Sequence, residues 1–270
     1  MNLHTFFYPT VLLLLFTYPF NLSSQTTAES LSLGGTLLSE SYTSFSPTLY
    51  FSDQSFLKLH HKNDYFLKEL QTISAEAPLF FHAIRMGVSV TSFGYKHYRE
   101  TTVALSTVKQ LSNHWTLGCS YHFNLLHYTG IARNRGSFKL SLDNYWQLNS
   151  STAIYSKLQH TFITASQDST IQYTKDDFSI GTSFRFSPST IWMAEANLKD
   201  MNQVTFRTGF KYVIDKISLN IGVRGTPILP SYGVGYVSNY WKCSLSSNWL
   251  PTLGHSFACD ICIILKNKKR

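Results

Sequence analysis

From Trp115 to Leu125 the chain alternates without a break. Trp115, Leu117, Cys119, Tyr121, Phe123 and Leu125 are apolar or aromatic, while Thr116, Gly118, Ser120, His122 and Asn124 between them are small or polar. A period of two places the two sets on opposite faces of a β-strand. The pattern recurs along the chain. Ile84, Met86, Val88 and Val90 alternate with Arg85, Gly87, Ser89 and Thr91, and Phe138, Leu140 and Leu142 with Lys139, Ser141 and Asp143. Phe178, Ile180, Phe184 and Phe186 alternate with Ser179, Gly181, Ser183 and Arg185, and Val204, Phe206, Phe210 and Tyr212 with Thr205, Arg207, Gly209 and Lys211. Ile217 to Arg224, Trp241 to Ser246 and Ser256 to Leu265 follow the same rule. The small polar set cannot line an apolar sandwich core, and the large set is too aromatic for a solvent face. A closed barrel in a membrane satisfies both, with its apolar side toward lipid and its polar side toward the lumen.

Turn signals separate these runs, among them Ser112-Asn113, Asn149-Ser150, Lys199-Asp200 and Asp215-Lys216. The spacing predicts about 14 strands, with about 12 as the alternative, each of roughly 10 residues. Longer loops are expected near 128–136, 164–176 and 225–231. The five tryptophans, Trp115, Trp146, Trp192, Trp241 and Trp249, fall near predicted strand ends, where interfacial residues belong. The fold class is therefore all-β, a transmembrane antiparallel up-and-down β-barrel. A soluble β-sandwich would carry more charge on one face than these strands do.

The first part of the chain does not follow the strand pattern. Residues 1–24 read as a secretory signal, with an apolar core through Val11 to Phe16 interrupted by Pro9 and Pro19. Residues 25–52 hold Gly34-Gly35 and, later, Pro47, which cannot donate to a central ladder. That segment is expected to be a short lumen plug or a periplasmic lead-in, with Gly34, Gly35 and Pro47 as its marker residues. The barrel is assigned to 53–266 and a basic tail to 267–270.

Charge changes this picture little. Only 14% of residues are charged, and the formal net charge is +8. Four of the last five residues carry four of those charges, Lys266, Lys268, Lys269 and Arg270. The body of the chain is only mildly basic, and no basic patch interleaved with aromatics marks a nucleic-acid partner. Cys259 and Cys262 are three apart in a strand pattern and so face opposite sides. With no second Cys or His pair, they make no zinc site.

The predicted lumen face gathers Arg85, Lys139, Asp143, Arg185, Arg207, Lys211, Arg224, Lys242 and Asp260, seven basic and two acidic. A net-positive lumen favours anions. The simpler reading is that these charges pair with one another, with Glu195 and with plug groups. If the strands around 114–126 and 137–148 form a hairpin, His122 falls near Ser141 and Ser120 near Asp143, the parts of a nucleophilic hydrolase. The chain has no G-x-S-x-G elbow, no H-E-x-x-H and no Gly-rich phosphate loop. No enzyme activity and no cofactor are expected.

Several short stretches resemble a known family. Gly34-Gly35 followed by Ser46-Pro47 is similar to the amino-terminal stretch of FadL-like outer-membrane barrels. Ser92-Phe93-Gly94-Tyr95-Lys96-His97-Tyr98-Arg99-Glu100, then Leu111 and Trp115 to Gly118, resemble the PorV/PorQ-like branch of that family in Bacteroidetes-type bacteria. Gly233 to Tyr236 and Leu253 to Phe257 are similar to its closing strands. The resemblance implies a plugged barrel in the outer membrane, in contact with its lipid. It also implies either service to type IX secretion through secretion-system or secreted protein partners, or passage of hydrophobic molecules. Small anionic molecules are the cargo that the lumen charge adds to the second reading.

Overall fold

The computed structural model describes residues 27–33, 35–36, 55–81, 84–129, 135–164, 172–200, 202–225 and 228–265. Among them fourteen strands follow in chain order: β1 (Ser55–Asp64), β2 (Gln71–Phe81), β3 (Ile84–Tyr95), β4 (Tyr98–Ser112), β5 (Trp115–Tyr128), β6 (Arg135–Gln147) and β7 (Thr152–Thr164). The second half holds β8 (Gln172–Ser187), β9 (Thr190–Lys199), β10 (Gln203–Ile214), β11 (Ile217–Arg224), β12 (Leu229–Val237), β13 (Trp241–Leu250) and β14 (Gly254–Leu265). Each pairs antiparallel with its sequence neighbours. β14 returns to β1, from Ser55 opposite Leu265 to Asp64 opposite Ser256, and the sheet closes. Closure leaves no free edge strand, which is what hydrocarbon surroundings demand of a sheet.

The two faces divide as the alternation predicts. On β5, Thr116, Ser120, His122 and Asn124 are at most 5% exposed, while Leu117, Tyr121, Phe123 and Leu125 are at least 40% exposed. Large apolar side chains stand exposed on every one of the fourteen strands. A belt of that extent is far larger than any apolar patch a water-soluble monomer carries, and it is the surface a bilayer covers. The small polar face points inward. The barrel thus spans the membrane with strands.

The two rims differ. At the rim of Ser55 and Leu265 the connections are short: 113–114, 148–151, 188–189, 215–216 and 238–240. The opposite rim holds the three longest, 65–70, 129–134 and 165–171, beside the shorter 96–97, 200–202, 225–228 and 251–253. Outer-membrane barrels place short turns toward the periplasm and longer loops outside. Trp115, Trp146, Trp192 and Trp241 face outward near the short-turn rim, with Trp115 directly opposite Trp146. Trp249 lies near the other rim.

Three expected loops are shorter than the pattern suggested, because β6 starts at Arg135, β8 at Gln172 and β12 at Leu229. At the rims, strands stand clear of lipid, so the outward face no longer needs to be apolar while the ladder continues. Gln172 to Asp177, nearly all polar, is such a run. The expected signal over 1–24, Gly34, Pro47 and the tail from Lys266 lie outside the described residues.

One short helix, α1 (Ala28–Ser32), sits inside the barrel against β11, β12, β13 and β14. Thr27 caps it, its Oγ1 accepting from the Ser30 N–H at 3.1 Å. Five residues are too few to hold a helix in water. The wall and a ring of local bonds hold this one. The Gly35 N–H donates to the Ser30 carbonyl at 2.7 Å, and Ser30 Oγ donates to the Thr36 carbonyl at 3.0 Å.

Candidate functional site

Four charged residues of the lumen converge on α1 and the turn after it. Glu29 is buried at its centre. Lys211 of β10 donates to one carboxylate oxygen of Glu29 and Lys242 of β13 to the other. Burial on its own would raise the Glu29 carboxyl. The two ammonium groups outweigh it and hold the carboxyl well below the ordinary range.

The helix start is held by Asp260 of β14. Its Oδ2 accepts from the Ala28 N–H at 2.8 Å. Its other oxygen meets His60 Nδ1 of β1 at 2.5 Å, and Lys58 Nζ lies 3.7 Å away. Beyond the helix end, Arg207 Nη1 donates to the Gly35 carbonyl at 2.9 Å and to Glu195 Oε1 of β9 at 3.1 Å. Gly35 has φ +82°, a conformation glycine adopts without strain. Ser231 Oγ of β12 donates to the Ser32 carbonyl at 3.2 Å. The apolar part of this interface is small: Ala28 and Leu31 pack on Ala258.

Two wall glycines let the segment come this close. A Cβ built at Gly209 would stand 2.7 Å from both Leu33 Cβ and the Leu33 carbonyl oxygen. One at Gly233 would stand 2.5 Å from Ser32 Cβ. Neither distance occurs in an unstrained structure, so the backbone of α1 and its C-terminal turn lies directly on the wall.

Of the residues singled out by sequence, Arg207, Lys211, Lys242 and Asp260 meet at this cluster, together with Gly35. Arg224 of β11 lies opposite Arg207 in the same row, and Arg207 in turn lies opposite Glu195. The others lie elsewhere. Lys139 is opposite His122 on β5 and β6. Asp143, on β6, accepts from Tyr155 OH at 2.7 Å and lies 3.7 Å from Lys157. Arg85 is on β3, on the same face as buried Ser89 and Thr91. Arg185 is exposed near the end of β8, where the register shifts.

The β5–β6 register also corrects the suspected hydrolase geometry. Ser120 stands opposite Ser141, and Gly118 stands opposite Asp143. The register therefore differs by two residues from the one that would set Ser120 beside Asp143. Ser120 Oγ lies 3.2 Å from His122 Nε2 and 2.5 Å from Ser141 Oγ, while the described contacts of Asp143 go to Tyr155 and Lys157. Ser120 and His122 are thus paired as a nucleophile and base would be, while Asp143, the carboxylate expected to complete the set, is not opposite Ser120. Among the described residues no group of three or more His, Cys, Asp or Glu is placed to hold a metal.

Glu29 is the residue that the alternation missed, since it lies in no strand. A signal for it exists in the sequence. Glu29, Glu40 and Asp53 are the charged residues before Lys58, and that stretch holds no Lys or Arg. An acidic leading segment beside a lumen with seven basic candidates is a complementary pair.

Known structures fit this architecture. The toluene transporter TodX of Pseudomonas putida superposes with a TM-score of 0.57 at 10% identity, over 88% of this chain and 96% of that one. A FadL homologue of Pseudomonas aeruginosa gives 0.57 at 10% identity, over 88% and 98%. The chain shares the fold of FadL-type channels. At that identity the likeness establishes the fold alone. No protein-family model matches the chain, and no curated protein matches it in sequence. The secretion role implied by the PorV/PorQ-like motifs has no counterpart in those two structures.

Proposed function

We propose that this chain is an outer-membrane conduit for small anionic solutes, closed at rest by its N-terminal segment. The observation that carries the reading is how α1 is seated. It rests on the wall through ion pairs and hydrogen bonds from Lys211, Lys242, Asp260, Arg207 and Ser231, with only Ala28, Leu31 and Ala258 as an apolar contact. Water can replace each of those polar contacts, whereas a permanent seal would be built from interlocked apolar side chains.

The path favours the barrel axis. The sheet closes through fourteen strand pairs, with register shifts at Gln110/Ser112 and Arg185/Ser187 near strand ends, and the β1–β2 ladder runs from Lys58–Glu76 to Asn63–Gln71. The inward face is mostly Ser, Thr, Asn and charge, with Phe56, Val108 and Met193 among them, which suits hydrated solutes better than hydrocarbons. Lys58, Arg207, Lys211, Arg224 and Lys242 give the plug side of the lumen an anion preference. Orientation and setting follow from the short-turn rim, the tryptophan girdle and the shared fold.

Solute flux into proteoliposomes tests this. A barrel lacking residues 27–36 is expected to pass small anions faster than the intact chain, and faster than neutral sugars of equal size. Equal tightness of the two barrels, or equal flux of anions and sugars, would overturn the reading.

A further inference from the structure

The contacts of α1 are unequal in what they leave behind. If the plug withdraws, Asp260 loses the Ala28 N–H but keeps His60 and Lys58. Arg207 loses the Gly35 carbonyl but keeps Glu195. Lys211 and Lys242 lose the carboxylate that lies between them. Their ammonium groups belong to different strands, β10 and β13, and are brought to the same point by Glu29. Asn220, directly opposite Lys211 on β11, is 2% exposed, and its Oδ1 has no hydrogen-bond partner among the described residues. Withdrawal of the plug therefore leaves two inward-facing cations beside a buried amide, in a space just vacated by an acidic side chain and by Ala28 and Leu31.

We propose that Lys211 and Lys242 form a binding site for small organic carboxylates, and that Glu29 is its resident occupant in the closed barrel. An incoming carboxylate takes the place of the Glu29 carboxylate between the two lysines and so releases the plug. The exchange is charge-neutral at the site, since one carboxylate replaces another. It therefore keeps a carboxylate between the two buried ammonium groups throughout the exchange. Ala258, freed from Ala28 and Leu31, gives the ligand a compact apolar surface, so the fitting class is a monocarboxylate with a small apolar body. The inference rests on the conduit reading for its purpose, but not for its geometry.

Calorimetric titration with benzoate, on the full barrel in mild detergent, tests it. Benzamide, which has the same body without the charge, serves as the control. Folding of each variant is checked by heat-modifiable migration in gels. E29Q, freed of the internal competitor, is expected to bind benzoate about tenfold or more tightly than the unaltered chain. E29D keeps the charge one methylene short of the lysines and is expected to fall between them. It carries the test if E29Q does not fold. K242Q is expected to lose binding, and benzamide to bind none of the proteins. Equal benzoate affinity in E29Q, E29D and the unaltered chain would overturn the proposal, as would unchanged binding in K242Q. The two readings separate in proteoliposomes. The calorimetric pattern without benzoate flux would sink the conduit and leave the carboxylate site standing. Flux without the pattern would sink the carboxylate site alone.

Discussion

Glu29 and Lys242 are 213 positions apart in sequence and joined by a buried side-chain hydrogen bond inside the barrel. The pair is only part of a unit, because Lys211 holds the other oxygen of the same carboxylate. Removing Glu29 leaves two ammonium groups facing each other, whereas removing Lys242 leaves Glu29 paired with Lys211. Losing one member of a buried ion pair costs about 3–5 kcal/mol.

A double-mutant cycle read as open probability in planar bilayers should expose that asymmetry. E29Q should open the barrel more than K242Q does. The double variant should be less open than E29Q alone, because it no longer sets two ammonium groups against one uncharged side chain. Strictly additive effects would mean that the two residues act independently.

Gly209 offers a way to unseat the plug without touching any charge. The three atoms nearest a Cβ there all belong to Leu33, at 2.7 to 2.9 Å, and none belongs to the wall. At Gly233 the Leu245 carbonyl oxygen is also in the way at 2.7 Å, so a substitution there strains the barrel as well. G209A is expected to cost the docked plug about 1–3 kcal/mol, the usual penalty of overpacking. It should raise conductance while the barrel's thermal unfolding stays unchanged. A drop in barrel stability with no gain in conductance would show that the close approach is not what seats the plug.

The lipid face can be tested by depth. Phe123 lies mid-strand on β5, 47% exposed and opposite both Val103 and Phe138. Trp146 faces outward near the short-turn rim, 52% exposed. An arginine at a bilayer midplane costs about 2–4 kcal/mol and near an interface about 0–1. F123R should therefore lower the free energy of folding into vesicles by several times more than W146R, measured by denaturant titration. Equal costs at the two sites would contradict the assigned membrane depth.

Much of the barrel is written locally. In β5, each of Trp115 to Leu125 declares its face through its own polarity, so strand count and in–out assignment follow from the chain alone. Register is less local. The turn between β5 and β6 spans 129–134, and nothing in its composition states how many residues on each side pair. That is why Ser120 meets Ser141 rather than Asp143. The plug was the least legible part. Ala28 to Ser32 is too short to show a helical period, and its partners are 182 to 232 positions away. Gly209 and Gly233 looked like any other small lumen residue, because the close approach belongs to two segments at once. The lysines were visible as candidates, but their carboxylate was hidden in a segment with no pattern.

If α1 closes the barrel as proposed, the depressed Glu29 carboxyl makes that closure sensitive to acid. The docked plug holds this group ionised between Lys211 and Lys242, well below the ordinary value of 4.5, whereas a released plug titrates near that value. The released state therefore binds a proton first as pH falls, and acid favours release. Docking is at full strength above the ordinary carboxylate range. It weakens from there downward, and its Glu29 contribution is lost as pH passes the depressed value. Asp260, with Lys58 and His60 around it, also contacts α1 and is common to every variant compared. Conductance of the unaltered barrel should be flat from neutrality down to about pH 5 and rise below it. E29Q, lacking the titrating group, should show little of that rise. If E29Q and the unaltered barrel open along the same acid curve, the response belongs to another group and Glu29 is not the latch.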